Sequence, residues 1–277
     1  MRIGIFDSGL GGLSVLNEAF HRLPDQEYIF YADTDHVPYG KRDPEEIFEY
    51  VREIAFFLEA EGVDAIVIAC NTATSVAVRR LRQEMKLPIV GMEPAVKPAV
   101  EHTDNRRVLV MATPVTLRET KLKALIERVD EEHRVDLLPM PELVNFAEKE
   151  IFSGPELHAY LEQQFGGYRT EDYSALVMGC THFNYFKDSY REFFSSETAF
   201  MDGNEGTVRY LAHLLGLPVW EMPEEEILFS SADEMTAHTT FYTSGRLVED
   251  KDTLEHFLRL LNRQEEMRKI GRGRSAL

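Results

Sequence analysis

The feature that most constrains the fold of this chain is an alternation of short apolar runs with longer segments of helical periodicity. The run at residues 65–69, Ala-Ile-Val-Ile-Ala, is continuous, as in a strand that is buried on both faces of a sheet. The segment at 44–61 predicts a helix, because Asp43 can cap its start, Glu46 occupies its third position and Gly62 follows its end. Apolar strands that alternate with such helices are typical of parallel α/β folds.

The alternation of strand and helix occurs twice along the chain. In the first third, four predicted strands end beside small or polar residues, at Asp7, Asp33, Cys70 and Glu93. In the middle, four more are predicted at residues 108–111, 135–138, 175–178 and 199–201. The third strand of each set leads into a cysteine, Cys70 in the first set and Cys180 in the second. We therefore expect two similar α/β domains with mostly parallel central sheets, formed by residues 1–95 plus 206–277 and by residues 96–205.

The C-terminal segment is expected to pack back on the first domain, because alone it is too small to form a good core. After Gly206 the sequence predicts a helix at 207–215, an acidic loop at 221–226, a strand near 240–243 and a helix near 252–261. Residues 264–277 are polar, and we expect them to be frayed.

The composition excludes several functional classes. Asp and Glu outnumber Lys and Arg by 48 to 30, which gives a formal charge of −18 and disfavours a nucleic-acid partner. Two cysteines are too few for a disulfide scaffold or a cysteine-rich zinc fold. Neither a signal-peptide pattern nor an apolar stretch of about 18–20 residues indicates export or a membrane segment. The sequence therefore favours a cytoplasmic protein with free thiols and no membrane partner, and it leaves a homodimer open.

Chemistry is expected at the carboxyl ends of the strands, where ligands bind in open parallel sheets. If the two domains face each other, Cys70 and Cys180 lie on opposite sides of the cleft between them. Inversion of a carbon centre through a planar carbanion needs a base on one face and an acid on the other, and two thiols, one of them ionised, meet this need. A helix N-terminus at each cysteine can lower the thiol pKa and suits a carboxylate. Neutral hydrogen-bond partners for a small anion are supplied by Ser8, Asn71, Thr72, Thr113 and Thr181.

Other interpretations of the same residues stay open. The stretch Gly9-Leu10-Gly11, with Asp33 further on, partly matches the dinucleotide site of an oxidoreductase, although Ser14 occupies the third glycine position. The two cysteines and His182 could hold a metal, but the spacing lacks a second close pair of ligands. A purely structural role for both thiols would leave a non-catalytic α/β binding module.

Four motifs together carry a family resemblance: IGIFDSGLGGLSVL at residues 3–16, VPYG at 37–40, IVIACNTATS around Cys70 and LVMGCTHF around Cys180. In this order the motifs resemble those of the glutamate racemases, and YTSGR at 242–246 looks like the C-terminal segment of that family. The resemblance implies two facing α/β domains with the active site in the cleft between them. It also implies racemisation of glutamate with no cofactor and no metal, which supplies D-glutamate for peptidoglycan. A racemase of aspartate or another small amino acid that uses the same thiols is the nearest alternative.

The resemblance implies roles for individual residues as well. Cys70 would take the α-proton of D-glutamate while Cys180 protonates the opposite face, and the two roles exchange for L-glutamate. Asp7 would assist Cys70 and help to hold the substrate amino group, and His182 would assist Cys180. Contacts to the substrate are implied for Asp7, Ser8, Tyr39, Gly40, Asn71, Thr72, Thr113 and Thr181.

The family also has a glutamate that serves as an auxiliary catalytic carboxylate, and its counterpart in this chain is less clear. In MPELVNFAE the aligned residue is Glu148, but Met140 and Asn145 replace the cysteine and proline that the family has there. Glu150 is the nearby alternative for the same role. Ala112 replaces the more usual glycine before Thr113, and we expect that change to matter little.

Overall fold

A computed structural model describes residues 1–102, 105–221 and 226–270, and the strands of these ranges form two sheets. The strands of the first sheet are β1 Arg2–Asp7, β2 Glu27–Ala32, β3 Ala65–Ile68, β4 Ile89–Gly91, β9 Thr239–Thr243 and β10 Arg246–Leu247. The strands of the second sheet are β5 Arg107–Ala112, β6 Val135–Pro139, β7 Tyr173–Met178 and β8 Ala199–Met201.

The two sheets repeat one topology. The order is β10-β9-β2-β1-β3-β4 in the first sheet and β6-β5-β7-β8 in the second, so the four-strand pattern 2-1-3-4 occurs in both. Neighbouring strands are parallel throughout the two patterns, and β9 also pairs with β2 in parallel. The hairpin of β9 and β10 adds an antiparallel edge to the first sheet. The prediction of two similar α/β units with mostly parallel sheets is confirmed.

Helices cover the parallel strands, as the sequence pattern predicts. They are α1 Leu13–Arg22, α2 Pro44–Ala60, α3 Asn71–Glu84, α4 Val96–His102, α5 Pro114–Arg118, α6 Thr120–Val129, α7 Leu143–Glu148, α8 Pro155–Phe165, α9 Lys187–Tyr190, α10 Asn204–Leu215, α11 Ala232–Thr236 and α12 Lys251–Arg268. The predicted start of α2 is confirmed, because the Asp43 side chain accepts from the backbone N–H of Glu45 and Glu46 reaches back to the N–H of Asp43. Gly62, with φ +78°, follows its end.

Strand register brings the functional segments to one edge of each sheet. In the first sheet β1 pairs with β2 up to Asp7, and the pairing of β1 with β3 continues past Ile68, because the N–H of Ala69 donates to Phe6 O at 2.8 Å. In the second sheet the N–H of Gly179 donates to Met111 O at 2.7 Å, which extends β7 along β5. The chain therefore leaves β1, β3, β5 and β7 at the carboxyl edges, where the predicted site residues begin.

The apolar core is continuous from one sheet to the other. Leu10 after β1, Met111 in β5 and Phe183 after β7 are all buried in the same cluster of side chains. Smaller clusters fill the outer faces, between the first sheet and helices α2 and α3 and between the second sheet and helices α4 and α6. The continuous core holds the two carboxyl edges against each other, which positions the site between them.

The C-terminal segment returns to the first sheet through β9 and β10, as expected for the strand near 240–243. The division of the chain at residues 95/96 and 205/206 stays a prediction. Residues 222–225 of the predicted acidic loop lie outside the described residues. Within the described ranges, every helix is too short or too polar to span a lipid bilayer.

The prediction that residues 264–277 are frayed is wrong for its first part. Helix α12 continues to Arg268, and Glu265 is 1% exposed. Its Oε2 atom lies 2.7 Å from Nε2 of His21 in α1, so a polar side chain is buried here because it has a buried polar partner. Residues 271–277 lie outside the described residues.

Candidate functional site

Both cysteines are buried at corresponding strand ends, one in each sheet. Cys70 follows β3 and is 6% exposed, and Cys180 follows β7 and is 8% exposed. Cys70 is the N-cap of helix α3, and its sulfur accepts from the backbone N–H of Ala73 at 3.4 Å. Cys180 instead leads into a turn of 3-10 helix, Thr181–Phe186, and its side chain makes no capping hydrogen bond to that turn. The two thiols therefore occupy equivalent places in the fold but different local structures.

The surroundings of Cys70 are acidic and hydroxylic. Its Sγ atom lies 3.5 Å from Ser8 Oγ, and the backbone N–H of Ser8 donates to Asp7 Oδ1 at 2.7 Å. Asp7 is fully buried at the end of β1. Burial and the Asp7 charge raise the pKa of the Cys70 thiol above its ordinary value. Both effects favour the neutral thiol of Cys70 over its thiolate.

The surroundings of Cys180 carry a histidine and a second carboxylate. The sulfur lies 3.8 Å from His182 Nδ1, and the other ring nitrogen of His182 lies 2.5 Å from Glu148 Oε1. Burial lowers the pKa of His182, but the hydrogen bonds to Cys180 and Glu148 outweigh it and hold this pKa well above its ordinary value. Burial likewise opposes ionisation of Glu148, but the hydrogen bond and charge of His182 lower its pKa. Both shifts favour the charged forms of the pair, and Nδ1 of the His182 ring faces Cys180.

Hydrogen bonds join the two sides of the site directly. Thr181 Oγ1 donates to Asp7 Oδ2 at 2.8 Å, so the residue next to Cys180 contacts the carboxylate beside Cys70. Glu148 Oε1 accepts from the backbone N–H of Leu10 at 2.9 Å, and Tyr185 Oη donates to Leu10 O at 2.9 Å. These bonds fix the carboxyl edges of the two sheets to each other around the thiols.

The glycine-rich stretch after β1 is explained by this close approach. A Cβ atom on Gly11 would lie 2.5 Å from His182 Nδ1 and 2.6 Å from Thr181 Oγ1, which no side chain could tolerate without displacing the second sheet. A Cβ atom on Gly9 would likewise overlap the Glu148 carboxylate. Protein side chains therefore occupy the place that a pyrophosphate would need, and the dinucleotide interpretation finds no support in the structure.

A cluster of three threonine hydroxyls adjoins the Cys70 side. Thr72 in α3 lies 3.1 Å from Thr113 and 3.2 Å from Thr116, measured between the Oγ1 atoms, and the last two lie 3.0 Å apart. The sequence predicted Thr72 and Thr113 but missed Thr116. The signal for it was the pattern Thr113-Pro114-x-Thr116, a helix start in which Thr113 accepts from the N–H of Thr116.

Asn71 and the Tyr39–Gly40 segment border the same region. Among the described residues, Asn71 Oδ1 is buried without a hydrogen-bond partner, so it is an available acceptor. Tyr39 is 1% exposed, and Gly40 packs against the second sheet, where a Cβ atom on it would lie 3.0 Å from Thr113 Cβ. The Tyr39 hydroxyl donates to Asp33 Oδ2 at 2.5 Å. Asp33 is thus a buried partner of a predicted site residue, and the sequence did not predict that role.

The structure separates the two candidate glutamates. Glu148 is the one beside His182, whereas Glu150 Oε1 lies 2.8 Å from His256 Nδ1 and 3.2 Å from an Arg259 nitrogen on α12. Within the described part of the chain, no group of three or more histidine, cysteine, aspartate or glutamate side chains could hold a metal ion.

Comparison with known proteins identifies the class. The fold and the site define an amino-acid racemase, an isomerase that inverts a carbon centre. The chain belongs to the family described as Asp/Glu/Hydantoin racemase, which matches residues 7–211.

Three similar proteins extend this result. The glutamate racemase of Lachnospira eligens is 45% identical over 98% of this chain and 100% of its own length. The glutamate racemase of Campylobacter curvus is 54% identical over 76% of this chain and 82% of its own length. Among solved structures, Escherichia coli glutamate racemase in complex with L-glutamate and the activator UDP-MurNAc-Ala superposes with a TM-score of 0.74 at 27% identity. The match covers 89% of this chain and 98% of that one.

Proposed function

We propose that this chain interconverts L-glutamate and D-glutamate by transfer of the α-proton between its two thiols. The observation that carries the proposal is the pair of buried cysteines at matching strand ends, linked through the hydrogen bond from Thr181 to Asp7. Glutamate as the substrate is supported by two glutamate racemases that are each 45% identical to this chain over 98% of its length.

The proposed reaction transfers one proton from the substrate and one to it. With D-glutamate, the Cys70 thiolate removes the α-proton, the electron pair remains on the α-carbon as a planar carbanion, and the Cys180 thiol protonates the opposite face. The products are L-glutamate, a Cys70 thiol and a Cys180 thiolate. With L-glutamate the same steps run in reverse. An amino-acid α-proton is much less acidic than a thiol, and each pKa unit of mismatch adds about 1.36 kcal/mol to the free energy of forming the carbanion.

The surroundings of the thiols are suited to lower that free energy. The N-terminal turn of α3 presents backbone N–H groups without intrahelical acceptors, and we assign the α-carboxylate of the substrate to them together with Thr72, whereas Asn71 Oδ1 would accept from a donor of the substrate. We assign the substrate ammonium to Asp7, where its positive charge would offset the carboxylate that, in addition to burial, raises the pKa of Cys70. Hydrogen bonds made in a site that excludes water are stronger than those made in solution.

The remaining roles follow the same assignment. We place Ser8, Thr113 and Thr181 beside the substrate as neutral hydrogen-bond partners, and the Tyr39–Gly40 segment against its far end. Glu148 and His182 act on Cys180 rather than on the substrate. Supply of D-glutamate for peptidoglycan, a cytoplasmic location and a homodimer are further predictions of the family resemblance, as is the division into domains of 1–95 plus 206–277 and 96–205.

A circular dichroism assay with enantiopure amino acids tests the proposal. Purified enzyme without any added cofactor should erase the optical signal of D-glutamate and of L-glutamate with equal kcat/KM, because the two enantiomers have equal free energy. Aspartate and alanine should react at least about 100-fold more slowly. Faster turnover of aspartate than of glutamate would favour the alternative racemase, and no turnover of either would contradict a racemase of acidic amino acids.

A further inference from the structure

One buried carboxylate beside the site has no role in the proton transfer described above. Asp33 follows β2 and is 2% exposed, and its oxygens lie within hydrogen-bond distance of three side chains. The Tyr39 hydroxyl donates to Oδ2 at 2.5 Å, His36 Nδ1 lies 2.9 Å from each oxygen, and the Ser244 hydroxyl donates to Oδ1 at 3.0 Å. A buried carboxylate with this many partners fixes the positions of all of them.

Ser244 belongs to the YTSGR motif at residues 242–246, which has no role in the proposed site as described so far. It lies at the tip of the hairpin of β9 and β10 and has a φ of +43°. Its backbone N–H donates to Ala32 O at 2.9 Å, and its hydroxyl oxygen accepts from the N–H of Asp35 at 3.0 Å while donating to Asp33. Arg246, two residues further, makes two bonds to the Asp35 carboxylate on the exposed surface.

We propose that Ser244 and Asp33 are positioning residues that hold the Tyr39–Gly40 segment in its place in the site. The proposal rests on the racemase function proposed above, because it takes that segment to contact the substrate. The connection runs from the C-terminal hairpin through the Ser244 hydroxyl to Asp33, and from Asp33 through the Tyr39 hydroxyl to the segment. A hairpin residue 211 positions away from Asp33 in sequence thereby sets the shape of the site.

The geometry also assigns the kind of contact that the segment can make. The Tyr39 hydroxyl is bound to Asp33, so the phenol proton is not available to a substrate. Burial and the Asp33 charge raise the pKa of Tyr39, so the phenol keeps its proton. What the segment offers to a carboxylate is therefore the backbone N–H groups of Tyr39 and Gly40. Their positions depend on the side-chain anchor, because Gly40 itself carries no side chain to hold it.

Ser244→Gly separates positioning from folding. A residue with φ +43° favours glycine, so this variant removes the hydroxyl without adding backbone strain, and the thermal midpoint should remain within a few degrees of wild type. Asp33→Asn removes the negative charge of the carboxylate that is hydrogen-bonded to Tyr39, His36 and Ser244. Arg246→Gln is the matched control, because it changes the same hairpin but breaks only an exposed ion pair that does not touch Asp33.

The kinetic expectation is a split between KM and kcat. A misplaced segment weakens the ground state and the transition state alike, so KM for glutamate should rise about 5- to 20-fold in Ser244→Gly and Asp33→Asn, with kcat within about threefold of wild type. A merely unfolded fraction would lower the apparent kcat and leave KM unchanged. Tyr39→Phe should raise KM by a similar factor, and combining it with Asp33→Asn should add little, since the first removes and the second weakens the same hydrogen bond.

Hydrogen exchange measured by mass spectrometry tests the anchor without reference to activity. Amides of residues 36–41 should exchange at least about 10-fold faster in Ser244→Gly and Asp33→Asn than in wild type, and at the wild-type rate in Arg246→Gln. An inactive wild-type enzyme with this exchange pattern would contradict the racemase function but retain the anchor. An active enzyme in which Ser244→Gly changes neither KM nor the exchange of residues 36–41 would overturn the inference, as would equal effects of Arg246→Gln.

Discussion

The two halves of the site share a fold but not an electrostatic environment. Cys70 caps a 14-residue α-helix and lies near a buried carboxylate, Asp7. Cys180 precedes a six-residue 3-10 turn and lies 3.8 Å from His182, whose pKa is raised by Cys180 and Glu148 against the effect of burial. One thiol thus has a negative neighbour and a helix N-terminus, and the other has a positive neighbour. The repeated strand order sets the positions of the two thiols, and the segments that follow the strands determine which charged side chains surround each thiol.

The difference matters because the proposed reaction makes equal demands on both thiols. Each must be a base for one enantiomer and an acid for the other. The enantiomers have equal free energy, so kcat/KM is the same in both directions for any variant, however asymmetric its site. The asymmetry of the two sides must therefore be measured in quantities other than kcat/KM, such as isotope effects and stability.

The largest effect is expected when either thiol is removed, and this change tests whether both sides of the site are needed. Cys70→Ala and Cys180→Ala should each lower racemisation by at least about 1,000-fold in both directions, because each leaves one face of the carbanion without an acid or a base. Circular dichroism with each enantiomer measures the loss. Full turnover by Cys180→Ala would contradict the claim that both sides of the site take part in the proton transfer.

A smaller but still large loss is expected when the two sides are pushed apart. The added methyl group of Gly11→Ala would meet His182 and Thr181, including the backbone nitrogen of His182 at 2.6 Å. We expect racemisation to fall about 100-fold and the free energy of unfolding to fall by about 1–3 kcal/mol. Gly206→Ala in helix α10 is the control, because its methyl group meets no atom within 4 Å among the described residues. It should leave activity unchanged and stability unchanged or slightly higher.

Isotope effects should distinguish the sides from each other. His182→Asn removes the positive neighbour of Cys180, so the step at that thiol should become more rate-limiting, with kcat lower by about 10- to 100-fold. The α-deuterium isotope effect on kcat/KM should then rise for L-glutamate, whose proton goes to Cys180, and fall for D-glutamate. Asp7→Asn should shift the two isotope effects in the opposite sense. Equal shifts for both enantiomers in either variant would mean that the neighbours do not act on separate thiols.

The smallest expected effect is on stability and depends on pH. The raised pKa of His182 stabilises the fold below its unfolded-state pKa, near 6.5, and this contribution is lost as pH rises through the folded-state pKa. The lowered pKa of Glu148 stabilises the fold above about 4.5 and is lost as pH falls through the folded-state value. Glu148→Gln should therefore cost most, about 2 kcal/mol, between roughly pH 4.5 and 6.5. Urea unfolding from pH 3 to 9 measures this, and a pH-independent difference would contradict the ion pair.

Strand ends were predictable from the sequence because their causes are local. Continuous apolar runs followed by polar residues gave the positions of Cys70, Cys180, Asp7 and Thr113, and a parallel sheet brings such ends to one edge. The start of α2 was predictable for the same reason, since its capping residues are adjacent in sequence.

Contacts between distant segments were not predictable in this way. Glu148 and Glu150 are two residues apart, and what separates them is the backbone of Glu150, with φ +53°, which directs its side chain toward α12. The bond between Asp33 and Ser244 joins residues 211 positions apart. The length of α12 depends on the buried pair of Glu265 and His21, and a polar sequence alone suggests a frayed end.

Deuterium incorporation from solvent tests the central claim, that each thiol serves one face of the substrate, most directly. When D-glutamate is racemised in D2O, the early L-glutamate should carry deuterium at the α-carbon while the remaining D-glutamate retains protium. This result is expected because Cys180 delivers a solvent-derived deuteron whereas Cys70 holds the proton it removed. Mass spectrometry after separation of the enantiomers reads both pools, and L-glutamate as the starting enantiomer should give the mirror result. Equal deuterium in both pools at early times, or protium carried into the product, would indicate one base acting on both faces and would contradict the account.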